Sequence, residues 1–128
     1  MHVGQDDLTP RTVRTIVGPD AVVGLSTHTV EQLERAVAEP VTYIAIGPVF
    51  ETSTKESGYM AVGLKGVADA ARVGSQRGLP VVAIGGITLD NAAPVIEAGA
   101  ASVAVISALL AGDPREQARA FLNRLRNR

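Results

Sequence analysis

Residues that could bind a phosphate group or a metal ion follow five separate apolar runs of this 128-residue sequence. They occupy positions 5–7, 26–28, 52–55, 85–86 and 107. Carboxylates are ligands that Mg²⁺ prefers, and hydroxyls, a lysine and exposed backbone amides are good donors to phosphate oxygens. If these segments meet in space, they suit the binding of a phosphorylated substrate together with its metal ion.

Each segment also has an ordinary structural explanation when it is considered alone. The two aspartates could form only a turn before a helix, and residues 26–29 could act only as a helix cap. His28 could be structural or solvent-exposed, the stretch 52–55 could be a solvated loop, and the Gly85-Gly86 pair could permit only a tight turn. Their succession at the ends of five apolar runs favours a shared site.

The apolar runs and the segments between them predict alternating strands and helices. Runs at 2–3, 21–25, 42–46, 80–84 and 102–106 are rich in Val and Ile without alternation, which is typical of parallel strands buried on both faces. Helix starts are predicted at Thr9-Pro10, at Thr29 with Gln32 as a capping box, and at Asp113-Pro114. Apolar residues at helical spacing recur at 64–71 and 118–125. The order is strand then helix, five times.

This repeat predicts an α/β fold, either a doubly wound sheet or part of a (β/α)8 TIM barrel. The barrel is favoured by Gly85-Gly86 and by Ile106-Ser107, which resemble the phosphate site that barrels build after strands seven and eight. A complete barrel takes about 200–250 residues. The prediction is therefore a single domain, residues 1–128, that corresponds to strands 4–8 of a barrel and has two open sheet edges.

Composition excludes several classes of function. Hydrophobic residues make up 46% of the chain and aromatic residues only 3%, and the net charge is -1, so neither a nucleic-acid surface nor a disordered chain is expected. The absence of cysteine excludes disulfides, thiolate metal sites and cysteine nucleophiles. The most apolar stretch, 100–111, is too short to span a bilayer, and a cytoplasmic location is predicted.

Six segments together resemble thiamine-phosphate synthase in order and spacing. They are HVGQDDL (2–8), GLSTHT (24–29), YIAIGPVFETSTK (43–55), AVGL (61–64), VVAIGGIT (81–88) and VAVISAL (103–109). The resemblance implies a (β/α)8 barrel of which this chain is the last five βα units. It also implies a Mg²⁺-dependent transferase that joins 4-amino-2-methyl-5-hydroxymethylpyrimidine diphosphate to a thiazole phosphate and releases diphosphate.

The resemblance assigns roles to residues that match the family motifs. Asp7 would be one of two Mg²⁺-binding aspartates, and Ser26 and Lys55 would contact the pyrimidine diphosphate as the catalytic pair. The thiazole phosphate would be bound by a second group of residues: Thr52, Ser53, Thr54, Gly86, Ile106 and Ser107. The implied mechanism is dissociative, because diphosphate leaves first and the thiazole nitrogen then captures a delocalised cation. That nitrogen carries no proton, so no general base is needed.

The resemblance also implies three missing βα units, with a QxRxK motif and an ND pair that supplies the second aspartate. Impaired synthase activity is therefore expected for this chain. Three alternatives stay open: a thiazole tautomerase that uses His28 as acid and base, a non-catalytic phosphate-binding module that pairs through its open edges with another chain, and a fragment that does not fold stably alone.

Overall fold

The computed structural model describes residues 1–52 and 58–127, and its centre is a parallel sheet of five strands. The strands are β1 (His2–Val3), β2 (Gly24–Thr27), β3 (Tyr43–Ile46), β4 (Val81–Ile84) and β5 (Ser102–Ala104). They lie in chain order, and every neighbouring pair is parallel. The predicted parallel α/β class is confirmed. The strand order does not reverse anywhere among these strands, unlike the order of a doubly wound sheet.

Six helices connect and flank the strands in the described part of the chain. They are α1 (Pro10–Val17), α2 (Val30–Ala36), α3 (Gly63–Ser75), α4 (Ala92–Glu97), α5 (Ser107–Leu110) and α6 (Pro114–Arg126). None of the helices in these described ranges has the length and apolar character needed to cross a membrane.

The predicted N-terminal caps of three helices are present. The Thr9 hydroxyl accepts from the Thr12 amide, and Asp113 Oδ1 accepts from two amides in the first turn of α6. Thr29 caps α2 by accepting from the Gln32 amide at 3.2 Å. The Gln32 side chain, however, accepts from the amide of His28 rather than from that of Thr29. The capping box is therefore shifted by one residue, which holds the end of β2 against the start of α2.

The second strand begins and ends later than the sequence pattern predicts. Ser26 and Thr27 were expected to follow the strand, but they pair in register with Ala45 and Ile46 inside the sheet. Thr27 is buried, and its hydroxyl donates to the carbonyl of Ala45 at 2.8 Å. The expectation that Thr27 belongs to the polar rim is therefore wrong, since its hydroxyl is satisfied within the core.

The two faces of the sheet have different surroundings. Val3, Leu25 and Ile44 point to one face, where they share a single core cluster with buried residues of α1, α2, α3, α4 and α6. Right-handed crossovers between consecutive parallel strands place their helices on one side in this way. The register puts Ser26 and Tyr43 on the opposite face, where both are only half-buried.

Candidate functional site

A cavity of about 550 Å³ lies at the carboxyl ends of the strands. Its lining includes six residues that the sequence assigned to a site: Asp7, Ser26, Thr52, Gly86, Ile106 and Ser107. Ser26 lies at the carboxyl end of β2 and the other five lie in the segments that follow β1, β3, β4 and β5, so parallel strand ends bring together residues that are up to 100 positions apart, from 7 to 107. Ser53, Thr54 and Lys55 lie outside the described residues.

Asp7 makes a structural hydrogen bond and also borders the cavity. Its Oδ2 accepts from the amide of Gly4 at 2.7 Å, which closes a turn after β1. The turn explanation is therefore correct for this oxygen, while the residue also lines the cavity. Within residues 1–52 and 58–127, no three His, Cys, Asp or Glu side chains are grouped as a metal centre. Mg²⁺ commonly takes one or two carboxylates and completes its coordination with waters and phosphates. The carboxylate of Asp7 is chemically suited to be one such ligand.

Ser26 is held through both its main chain and its side chain. Its carbonyl accepts from the Gln5 amide group at 2.8 Å, and its Oγ lies 2.7 Å from Nε2 of His2. The other ring nitrogen of His2 lies 2.8 Å from the hydroxyl of Tyr43. Partial burial lowers the pKa of His2, as does the N-terminal ammonium to a smaller extent, while the charge of Asp7 acts in the opposite direction. These effects favour the neutral imidazole.

His28 also borders the cavity, and its tautomer is defined by its partner. Nδ1 lies 2.7 Å from the carbonyl oxygen of Gly47, which can only accept, so Nδ1 carries a proton. The ring of Tyr59 stacks on His28 with the centroids 4.1 Å apart and the planes 10° from parallel. Gln32 donates to the Tyr59 hydroxyl at 3.2 Å. Tyr59 was missed by the sequence analysis because a single tyrosine in a loop has no periodicity or motif.

Two glycines allow the loops after β3 and β4 to meet at the cavity. Gly86 has φ +66°, and a Cβ there would lie 2.7 Å from the carbonyl oxygen of Glu51 and 2.8 Å from Cβ of Phe50. Gly85 has φ +99° and similarly approaches Pro48. The tight-turn explanation is therefore correct, and the turn also positions part of the cavity wall. The amide of Phe50 donates to the Gly85 carbonyl, which keeps the two loops together.

The part of the cavity next to the glycine turn is formed after β5, the strand that pairs with β4. Ile106 and Ser107 are exposed, border the cavity and begin the four-residue helix α5. The first amides of a helix have no acceptor within the helix, so they are available to a ligand or to water. The glycine turn and this helix start thus flank one concave surface, as the sequence analysis expected.

These features define a parallel α/β protein with a ligand cavity at the carboxyl ends of its strands, bordered by a carboxylate, hydroxyls and a glycine turn. The sequence comparison is more specific. The family described as thiamine monophosphate synthase matches residues 1–109, and the chain belongs to this family.

Individual proteins similar to this chain carry names of the same family. The chain is 50% identical over 122 residues to the thiamine-phosphate synthase of Koribacter versatilis, covering 95% of this chain and 56% of the relative. The Bacillus velezensis thiamine-phosphate synthase is 42% identical over 127 residues, with 98% and 55% covered. The solved thiamine phosphate pyrophosphorylase of Pyrococcus furiosus is 28% identical with a TM-score of 0.83, covering 98% of this chain and 58% of that one. The chain thus spans just over half the length of these relatives.

Proposed function

We propose that this chain supplies the carboxyl-terminal half of a thiamine-phosphate synthase site, where a pyrimidine diphosphate and a thiazole phosphate are joined. The observation that carries the proposal is the single cavity that gathers Asp7, Ser26, Thr52, Gly86 and Ser107. Relatives that are 42–50% identical over nearly the whole chain bear the name of this activity. A cytoplasmic location belongs to the same proposal.

The proposal includes a (β/α)8 barrel of which these five strands are strands 4–8. It is supported by the chain-order parallel sheet, by helices packed on one face, and by an opposite face that carries half-buried Ser26 and Tyr43. In a barrel that second face lines the interior. The outer edges of β1 and β5 would then pair with the strands that precede this segment in a full-length synthase, whether in the same chain or in another.

Asp7 would hold Mg²⁺ through its carboxylate, one oxygen of which also accepts from the Gly4 amide. When bound, Mg²⁺ supplies positive charge that offsets the charge of the diphosphate. The hydroxyl of Ser26 would donate to the pyrimidine diphosphate and fix its orientation before it leaves. Lys55, which lies outside the described residues, would add a cation to the same leaving group.

The thiazole phosphate would be bound on the other side of the cavity. The Gly86 turn and the start of α5 would offer backbone amides at Gly86, Ile106 and Ser107, and Thr52, Ser53 and Thr54 would contribute hydroxyls. Fixing this phosphate places the thiazole ring beside the pyrimidine methylene, which makes the bond-forming step effectively unimolecular. No residue of this chain needs to remove a proton from the attacking nitrogen.

The test is an assay of diphosphate release by the purified chain, alone and mixed with the preceding segment of the Koribacter versatilis relative. We expect release only in the mixture, and thiazole phosphate binding by the 128-residue chain alone. Ser26→Ala should lower the affinity for pyrimidine diphosphate about tenfold, the loss of one hydrogen bond to a charged group. Ser75→Ala in α3 is the matched control and should change nothing, because the Ser75 hydroxyl donates to the Arg72 carbonyl in its own helix. Absence of both release and binding would refute the proposal.

A thiazole tautomerase activity is the second candidate, because His28 borders the cavity. Its Nδ1 proton is held by Gly47, so the neutral ring offers Nε2 as a base. His28→Gln distinguishes the two candidates. It should abolish a tautomerase while leaving diphosphate release by the mixed chains within about threefold, since the synthase step needs no proton transfer. Equal loss of both activities would point to a structural role for His28.

A further inference from the structure

The first three strands bring together three residues through their register. His2, Gly24 and Tyr43 lie side by side in register on β1, β2 and β3. Because parallel partners in register point to the same face, the side chains of His2 and Tyr43 flank the bare backbone of Gly24. A Cβ at Gly24 would fall within the Tyr43 ring. The glycine therefore lets Tyr43 lie across β2 and reach the residue on β1.

The rings of His2 and Tyr43 stack with centroids 5.6 Å apart and the planes 27° from parallel. The Tyr43 hydroxyl lies 2.8 Å from Nδ1 of His2, and Nε2 of His2 lies 2.7 Å from Oγ of Ser26. Ser26 borders the cavity, whereas His2 and Tyr43 are not part of its lining. Ser26 is the residue that connects these two rings with the cavity through a hydrogen bond.

We propose that Tyr43 and His2 form a relay that fixes the hydroxyl of Ser26 as a hydrogen-bond donor into the cavity. The Tyr43 phenol donates to Nδ1, and Nε2–H of His2 donates to Ser26 Oγ, so the serine proton is free for a ligand oxygen. In the opposite tautomer Nε2 would accept a hydrogen bond from the Ser26 hydroxyl, which would then not be available to a ligand. The lowered pKa of His2 agrees with a neutral ring, which has one donor and one acceptor nitrogen. The ligand oxygen is one of a diphosphate, and this part of the inference rests on the proposed function.

His2 and Tyr43 are positioning residues in this arrangement, and Gly24 is required to let them meet. Gln5 completes it by holding the Ser26 carbonyl, so the backbone and the hydroxyl of Ser26 are fixed independently. A hydroxyl that is already oriented loses less rotational freedom when a ligand binds, and so binds it more tightly.

The tautomer can be measured directly by long-range proton–nitrogen NMR of the labelled chain at pH 7.5. The sequence has two histidines, His2 and His28. We expect opposite tautomers, with the proton on Nε2 in His2 and on Nδ1 in His28. Tyr43→Phe removes the phenol donor. In this variant the imidazole nitrogen chemical shifts of His2 should move toward those of a mixture of the two tautomers, while the shifts of His28 stay unchanged. A His2 proton on Nδ1 in the unaltered chain would overturn the relay.

Ligand binding provides the second readout, with inorganic diphosphate as the probe in calorimetry. His2→Phe keeps a stacking ring without nitrogens and should weaken binding about three- to tenfold, as should Tyr43→Phe to a smaller extent. His2→Gln restores an N–H donor near the Nε2 position and should recover affinity to within about twofold. Circular dichroism confirms that each variant is folded, and a variant that fails this check is replaced in the comparison by the other ring substitution.

The outcomes separate this inference from the proposed function. If Ser26→Ala weakens diphosphate binding but the two ring variants do not, the relay is overturned while the proposed function stands. If the unaltered chain binds no diphosphate but His2 has the Nε2–H tautomer and responds to Tyr43→Phe, the proposed ligand is wrong while the relay stands.

Discussion

Gly86→Ala should destabilise the protein for two reasons that a second glycine allows to be separated. Gly86 has φ +66°, where an L-residue costs about 1–2 kcal/mol. A Cβ there would also lie within 2.7–2.9 Å of three atoms of Glu51 and Phe50, closer than a Cβ normally approaches. Overpacking of this kind costs about 1–3 kcal/mol. The expected total is about 2–5 kcal/mol, a large part of the roughly 5–15 kcal/mol typical of a domain.

Gly78→Ala is the matched control, since Gly78 has φ +67° and no atom within 4 Å of the added Cβ. Both variants carry the same penalty for an L-residue at positive φ and the same loss of conformational entropy in the unfolded chain. The difference between their free energies of unfolding therefore isolates the steric contribution of about 1–3 kcal/mol. With a urea m-value of about 2 kcal/mol per M, the midpoint of Gly86→Ala should lie about 0.5–1.5 M below that of Gly78→Ala. Equal midpoints with equal m-values would refute the close approach of the two loops at the cavity.

Three further predictions concern the frame around the site. Phe121→Ala should lower the free energy of unfolding by about 3–5 kcal/mol, because Phe121 is only 6% exposed. Leu122→Ala, at a position that is 53% exposed, should change it by no more than about 0.5 kcal/mol. Equal urea midpoints of the two variants would contradict the docking of α6. Arg14→Lys should lower the free energy of unfolding by about 1–3 kcal/mol, because lysine cannot replace a guanidinium that donates to four backbone carbonyls. Arg11→Lys, at an exposed position, should leave stability unchanged. Similar thermal midpoints of the two variants would argue against this role of Arg14. Burial lowers the pKa of His2, so at pH values between that pKa and about 6.5 the unfolded chain binds more protons than the folded chain. The urea midpoint should therefore rise with pH up to about 6.5 and level off above it. The same pH dependence of the midpoint in His2→Asn would disprove this contribution.

The chemical content of the site was predictable because it depends on local sequence. Residues that follow a strand of a parallel sheet lie at the carboxyl end of that strand whatever surrounds it. The structure accordingly places Asp7, Gly86 and Ser107 along the cavity, while their roles in binding stay predictions. The same locality explains the success of the caps at Thr9 and Asp113, where a side chain bonds to an amide two or three residues away.

Residues whose roles depend on strand register could not be identified in this way. Thr27 resembles its neighbour Ser26 in sequence, yet the alternation of a strand sends one hydroxyl into the core and the other toward the cavity. Tyr59 lies beside the cavity with its ring stacked on His28, a contact between positions 31 residues apart that the local sequence does not indicate.

The sequence by itself determined the α/β class, the order of the elements and the residue types available for binding a phosphate, because apolar periodicity and turn chemistry act over a few neighbouring positions. Only the tertiary structure decided that His2, Gly24 and Tyr43 lie in one row and that Ser26 is held at its end. These contacts join strands about 20 and 40 positions apart, and their register is set by core packing on the other face of the sheet.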